Sequence, residues 1–279
     1  MEGHLERSDY RQPTGLEGKR QYHIACGPGD VPSTVIVPGD QGRVPLIVSE
    51  LANARLIADN RGLITYRGRY RDVDVGVTST GMGGPSAAIA YEELINLGVT
   101  VLIRVGSVAG LQPELEEGDL VIPYACVRDD GVSRYYVPEN YPAAASPPVY
   151  QALIQAAGEM GYRFHTGINW THSAFYARTP EYFDQWVRKR VVSMEMEAAA
   201  LMVVASLRGV HSGFIGTVYA NRYRQSRSER VDLSVDSPSR DVIQRGVRAS
   251  IRIALEAARL LAHQLQSGSP DGKNERGEP

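Results

Sequence analysis

Apolar residues in this chain fall into short blocks, and their spacing alternates between two periods. Residues 34–37 (Thr-Val-Ile-Val), 100–105, 120–127, 164–170 and 211–219 are compact apolar runs bounded by glycine, proline or polar turns, the form of buried strands. Residues 64–70 and 73–79 flank Arg71-Asp72 and read as a hairpin. Between these runs the apolar positions recur at helical spacing. A helix over 85–97 is opened by Gly84 and Pro85 and stopped by Gly98. Further helices are predicted over 148–160, 180–189 and 238–266; the last carries Val242, Ile243, Val247, Ile251, Ala254, Leu255, Ala258 and Leu261 at helical spacing. Strands alternating with helices predict an α/β fold layered about a sheet, although the pattern does not fix the order of the strands.

The ends break this pattern. Residues 1–18 and 267–279 are polar and rich in glycine, proline and charge, so they are expected to be disordered tails. Residues 19–266 read as a single domain without an internal repeat.

Composition narrows the class. Apolar residues make up 43% of the 279, enough for a substantial core. A net charge of -2 and the lack of a long basic run give no reason to expect nucleic acid as a partner. No apolar run reaches the roughly 18 residues that span a membrane, and the first residues lack the apolar core of a secretory signal. A cytoplasmic protein is expected, with no membrane partner. The two cysteines, Cys26 and Cys126, have no metal-ligand or redox spacing and are expected to be buried thiols.

Four segments carry candidate chemistry. In the first, residues 191–194 end a buried strand and 198–207 form a helix that Gly209 ends, with Glu195-Met196-Glu197 between them. In extended backbone, residues two apart share a face, so both carboxylates leave the C-terminal strand end together. Open α/β sheets place ligands there. Two acceptor-only carboxylates beside a thioether suit a sugar, with its hydroxyls donating and Met196 covering a ring face. The same carboxylates would also serve as an acidic first turn favouring the helix dipole.

The second segment, Val37-Pro38-Gly39-Asp40 with Arg43, is a strand, a tight turn and a cation. Gly39 admits close backbone approach to an anion and Arg43 supplies a fork for phosphate oxygens, although Pro-Gly-Asp is also ordinary turn chemistry. The third, Ile103-Arg104-Val105-Gly106-Ser107, buries a cation in an apolar strand. An unpaired charge there is expensive, so Arg104 should face a carboxylate or a bound anion. Gly106 and Ser107 then follow at the strand end, with free backbone N–H groups and a hydroxyl. The fourth, residues 79–86 (Ser-Thr-Gly-Met-Gly-Gly-Pro-Ser), is a glycine loop at a helix start that could cradle an anion. It has neither the lysine of an ATP-binding loop nor dinucleotide spacing.

Together with Gln21-Tyr22-His23-Ile24 and Asn221-Arg222, these segments resemble the nucleoside phosphorylase-I family, and most closely its uridine phosphorylase branch. The resemblance runs from about Gln21 to Leu265. It implies a three-layer α/β/α sandwich around a mixed sheet. It makes Arg104, Glu197, Asn221 and Arg222 the catalytic candidates, and Gly39, Arg43, Arg61, Arg104 and Ser107 the phosphate ligands. Ribose would be held by His23, Glu195, Met196 and Glu197, and the base by Phe175, Arg178 and Ala109. His23 and Arg61 would come from a neighbouring subunit. The expected assembly is a homo-oligomer, a hexamer, with sites at a dimer interface. No metal or organic cofactor is expected, and inorganic phosphate is the co-substrate.

The base pocket departs from the family pattern. Uridine phosphorylases carry a Gln-x-Arg pair after Phe-Tyr, whereas Thr179 and Glu181 fall at those places here. Arg178 could substitute for the missing cation. The stretch from Phe175 to Glu195 has the shorter length of the purine branch, yet Asn221-Arg222 is the uridine-like form. Ala109 replaces a pocket glycine, and Gly62 stands where some relatives use a glutamate for an interface potassium ion. The reading is phosphorolysis of a nucleoside, uridine-type first and purine second. A hydrolytic nucleosidase and a non-catalytic nucleoside-binding protein are the alternatives.

Overall fold

The computed structural model describes residues 15–177, 179–225 and 240–267. Arg178, most of both expected tails and the first two residues of the expected last helix lie outside them.

The first half of the chain runs β1 (Thr34–Pro38), α1 (Val44–Val48), β2 (Ala52–Asn60), β3 (Leu63–Tyr70), β4 (Val73–Thr78), α2 (Gly84–Asn96) and β5 (Val101–Gly110). Then come β6 (Leu120–Asp129), β7 (Ala143–Ala144), α3 (Pro147–Glu159), β8 (His165–His172), α4 (Pro180–Arg188) and β9 (Ser193–Glu195). The chain closes with α5 (Ala198–Arg208), β10 (His211–Asn221), α6 (Arg222–Gln225) and α7 (Arg240–Ser267).

The strands form one mixed sheet in the order β2-β3-β4-β1-β5-β9-β8-β6-β10. It is also closed at one end, because β10 pairs in parallel with β5 along its whole length and antiparallel with β6. Strands β5, β9, β8, β6 and β10 thus make a ring, and β1 to β4 extend from it as an open sheet.

Helices cover both faces, as the expected three layers require. Val35 and Val37 of β1 pack with α2 and α5 through Tyr91, Leu94, Leu201 and Val204. Ile36 points the other way, into a cluster with α3 and α7 that includes Val149, Leu153, Leu255 and Leu261. A strand buried on both faces shows no polar alternation, which is why this one reads as an unbroken apolar run. Gly209, with φ of 67°, ends α5 in the left-handed region as expected. Among the described residues no helix is long and apolar enough to cross a membrane. Both cysteines are buried, unpaired thiols.

Among the elements that differ from the sequence reading are two strands, one at the edge of the sheet's open part and one at its centre. Strand β2 was not anticipated: it is an edge strand, mostly exposed, and lacks the apolar run of a buried one. Strand β5 does not stop at residue 105 but continues to Gly110. The added residues are small and carry little hydrophobic signal, and β10 pairs with them from Gly106 to Gly110.

Candidate active site

The site lies where the two parts of the sheet meet. Strand β1 ends opposite Val105, and along β5 the pairing with β9 starts at Ala109. Residues 106–108 of β5 therefore have a partner strand, β10, on one side only. The backbone at Gly106 and Ser107 is not free at a strand end, as the sequence suggested. It is exposed on one edge, through a gap in the sheet.

Charged side chains line this gap. Arg43, at the end of the turn following β1, reaches across it. Its Nη1 donates to the Val105 carbonyl at 3.2 Å and its Nη2 to Ser107 Oγ at 2.8 Å. Arg104 is buried beneath, as its place in an apolar strand required. Its Nε donates to Glu195 Oε2 at 3.1 Å and its Nη2 to Glu197 Oε2. Its face lies over Phe214, 5.2 Å from the ring centre. Its Nη1 is buried without a hydrogen-bond partner, a donor held in place with nothing to donate to.

Two glycines permit this packing. A Cβ on Gly39 would lie 3.3 Å from Arg104 Nη1 and 3.2 Å from the Gly81 carbonyl. A Cβ on Gly106 would lie 2.9 Å from Arg104 Nη2 and 3.0 Å from the Phe214 ring.

The two carboxylates have different duties. Glu195 Oε1 accepts from Asn169 Nδ2 at 3.0 Å and Thr171 Oγ1 at 2.7 Å; Oε2 accepts from Arg104 and from the backbone N–H groups of Glu197 and Ala198 at 2.7 and 2.9 Å. A carboxylate has about four lone-pair sites. Glu195 was expected to bind ribose, but its acceptors are spent on fixing Arg104 and the start of α5. Glu197 accepts from the Gly83 N–H at 2.5 Å and from Arg104, which leaves it acceptor capacity toward the cavity. Burial pushes the Glu197 carboxyl up, Arg104 pulls it back, and Glu195 adds to the rise, so the net shift is upward. Burial also opposes the charge on Arg104, but Glu197 and Glu195 outweigh it and hold the guanidinium above its ordinary value.

A cavity of about 290 Å³ opens over these groups, close to the lower end of ligand pockets, about 300–1,000 Å³. Gly39, Arg43, Arg104, Ser107 and Glu197 line its polar end. Val108, Ala109, Phe175, Met194, Met196 and Tyr219 line an apolar end, with Arg222 beside them. Burial lowers the pKa of Arg222 from its ordinary value.

Three expected residues stand apart from the cavity. The Asn221 amide donates to the carbonyls of Gln112 and Leu115 at 2.9 and 2.6 Å, and its oxygen accepts from the Arg224 N–H at 3.1 Å. It ties the end of β10 to the 112–115 turn instead of facing a substrate. His23 and Arg61 sit together elsewhere: His23 Nδ1 lies 2.6 Å from Glu93, and Arg61 lies over the Tyr22 ring at 5.0 Å. In the glycine loop, the Gly83 amide is taken by the Glu197 carboxylate. Asn169 and Thr171, which orient Glu195, were not singled out from the sequence. Their signal was two polar side chains two apart in β8, which share a face in extended backbone.

The sequence and the fold match proteins of known class. The phosphorylase superfamily model matches residues 33–259, and the chain belongs to that family. It is 45% identical over 224 residues to a uridine phosphorylase of Thermococcus kodakarensis, covering 76% of this chain and 80% of the relative. It is 33% identical over 233 residues to a guanosine phosphorylase of Halorubrum lacusprofundi, covering 83% and 97%. The crystal structure of a Vibrio fischeri uridine phosphorylase superposes with a TM-score of 0.79 at 31% identity, covering 87% of this chain and 97% of that one.

Proposed function

We propose that the protein is a phosphate-dependent nucleoside phosphorylase that converts a nucleoside and inorganic phosphate to a free base and a pentose 1-phosphate. The observation that carries this is the unpartnered Nη1 of Arg104, buried beside Gly39 and Arg43 and next to a carboxylate with spare acceptors. A buried donor without a partner costs about 1–3 kcal/mol, and a phosphate oxygen in the gap removes that cost. The gap has the shape for it: two guanidinium groups, the Ser107 hydroxyl and the open edge of β5.

The chemistry follows from the placement. Arg43 and Arg104 hold phosphate under the sugar, and Glu197 accepts from the ribose hydroxyls while Met196 covers the ring. A phosphate oxygen attacks C1′, the C1′–N bond breaks, and its electron pair leaves with the base. Positive charge grows on the sugar between the phosphate and Glu197, so stabilisation is electrostatic and preorganised. Phe175 covers the base over Ala109, and Arg222 is the cation for its polar edge; Arg178, the cation expected from the sequence, lies outside the described residues. No metal or organic cofactor is needed. His23 and Arg61, being remote from the cavity, would complete the site of a neighbouring copy, which makes the working form a homo-oligomer.

Uridine is the first substrate we propose, on the strength of the uridine phosphorylase relatives and the Asn221-Arg222 form. A purine nucleoside is the second, because Thr179 and Glu181 replace the Gln-x-Arg pair that reads uracil. The test is a panel of uridine, thymidine, inosine and guanosine with and without phosphate. Phosphate-dependent loss of one of them supports the reading; equal loss in phosphate-free buffer makes the protein a nucleosidase, and no loss at all makes it a binding protein.

A further inference from the structure

His172 is the last residue of β8 and is almost fully buried. Its ring faces two acceptors. Nδ1 lies 3.1 Å from Asp129 Oδ2, and Nε2 lies 3.0 Å from the Ala174 carbonyl oxygen. Asp129 Oδ2 already accepts from Trp170 Nε1 at 3.2 Å and Tyr182 O–H at 2.6 Å. Burial and the Asp129 carboxylate push the Tyr182 phenol up to about 12, so it remains a donor. A carbonyl can only accept. A neutral imidazole has a single N–H and can satisfy one of these partners, whereas an imidazolium satisfies both.

The Ala174 carbonyl belongs to the loop that presents Phe175 to the cavity. That loop is also tied by Ser173 Oγ, which donates to the Asp130 carbonyl at 2.6 Å. We propose that His172 is the positioning residue for the Phe175 wall and that it acts by its charge: as an imidazolium it bridges Asp129 and Ala174, and as a neutral ring it lets the Ala174 carbonyl go. The bond to the carboxylate is charge-assisted and about twice as strong as a neutral one, so the carbonyl is the partner that is lost. The bare Nε2 lone pair then faces the carbonyl oxygen and repels it. The proton goes to solvent, which reaches Asp129 and Tyr182 through a separate cavity of about 450 Å³.

The surrounding charges fit one sign of switching. From β6 the ring meets Asp129, and Asp130 follows it. From α4 it meets the Tyr182 ring at 5.3 Å, whose hydroxyl donates to Asp129. Lys189, after α4, lies over Trp186 at 4.8 Å, and Arg128 is spent on Ser133 and on carbonyls that include those of residues 138 and 141. The wall is therefore held while the ring carries its proton and released when the proton leaves.

The inference rests on the reading of Phe175 as the cover of the base, so one arm of its test needs no substrate. The chain's two tryptophans, Trp170 and Trp186, both belong to this cluster, with Trp170 4.7 Å from the His172 ring. An imidazolium against an indole quenches it. On raising the pH, tryptophan emission of the full chain should rise in one step as the ring loses its proton. His172→Gln should abolish the step. Tyr182→Phe should move it to higher pH, because Asp129 loses a competing donor and holds the imidazolium harder. A step that survives His172→Gln, an unmoved midpoint in Tyr182→Phe, or no step in the unaltered protein overturns the proposal.

The second arm is the nucleoside KM at saturating phosphate on either side of the emission step, taken as a ratio to that of His172→Gln so that the titration of phosphate cancels. The ratio should rise roughly two- to tenfold with pH, the worth of one hydrogen bond, while the kcat ratio holds. A flat KM ratio beside an intact emission step overturns the positioning role. If neither uridine nor inosine reacts, the proposed activity has failed. Amide exchange at residues 174–177, corrected for its intrinsic pH dependence, then decides whether the loop is released above the step.

Discussion

The two ends of the cavity are built on different principles. At the end proposed for phosphate, Arg43, Arg104, Glu195 and Glu197 are 5%, 3%, 6% and 4% exposed, and each is fixed by hydrogen bonds to other elements. At the end proposed for the base, Phe175 is 39% exposed and lies on a loop. Buried charge must be over-determined, because every unpaired group in low dielectric is costly. An exposed aromatic wall has no such requirement and can be altered without endangering the fold. On the proposed reading, the chemistry is fixed in the sheet and selection of the base is left to a loop.

Arg104→Ala should break the rigid end outright. It removes a preorganised donor, for a loss of about 10²–10³-fold or more in kcat/KM. It also leaves Glu195 and Glu197 buried without their cation, and urea unfolding should show a loss of about 3–5 kcal/mol. A surface substitution such as Arg188→Ala should do neither.

Gly106→Ala asks whether placement alone matters. Its methyl group would sit 2.9 Å from Arg104 Nη2 and 3.0 Å from Phe214, so the guanidinium must shift. A displacement of the order of 1 Å costs roughly 10²-fold. Phosphate KM and kcat are the measurements, and an unchanged kcat/KM would show that the site tolerates movement.

Glu197→Gln should cost about ten- to a hundredfold with ribosides and less with 2′-deoxyribosides, since the charge serves two hydroxyls in one and one in the other. Equal losses in kcat/KM would mean that Glu197 does not read the 2′-hydroxyl. Its raised pKa gives a pH dependence of known sign. Protonation neutralises the acceptor, so kcat/KM should fall toward acid, starting above the ordinary carboxylate range. For stability the sign is opposite: the folded carboxyl holds its proton more tightly than the unfolded one. Its contribution is full below the unfolded pKa and lost as pH rises through the folded one. The Gln variant should lack both limbs.

Phe175→Ala should have the smallest effect, about two- to tenfold in nucleoside KM with phosphate KM and unfolding free energy unchanged. A large loss of stability would mean that the base end is as rigid as the other and would remove the contrast.

Much of the phosphate end was legible in the sequence because burial of charge leaves a local mark. Arg104 in an apolar strand demanded a counter-charge, and Glu195 and Glu197 stood at a strand end that could supply it. The duties of those carboxylates were not legible. Glu195 is saturated by Asn169 and Thr171 from β8, and Glu197 is held by Gly83, partners 26, 24 and 114 residues away. Asn221 shows the same limit, because the carbonyls that occupy it lie 109 and 106 residues back in the chain.

The sequence by itself determined the strands buried on both faces, the helices stopped by Gly98 and Gly209, the family and the need to pair Arg104. Each follows from hydrophobic period, backbone freedom or desolvation, which act on neighbouring residues. Only the tertiary structure decided that β10 returns to β5 and closes a ring, that β1 and β9 leave three residues of β5 open between them, and that the Ala174 carbonyl faces His172. Those are matters of register between distant strands. Many local patterns are compatible with more than one register, and only the packing of the whole sheet selects among them.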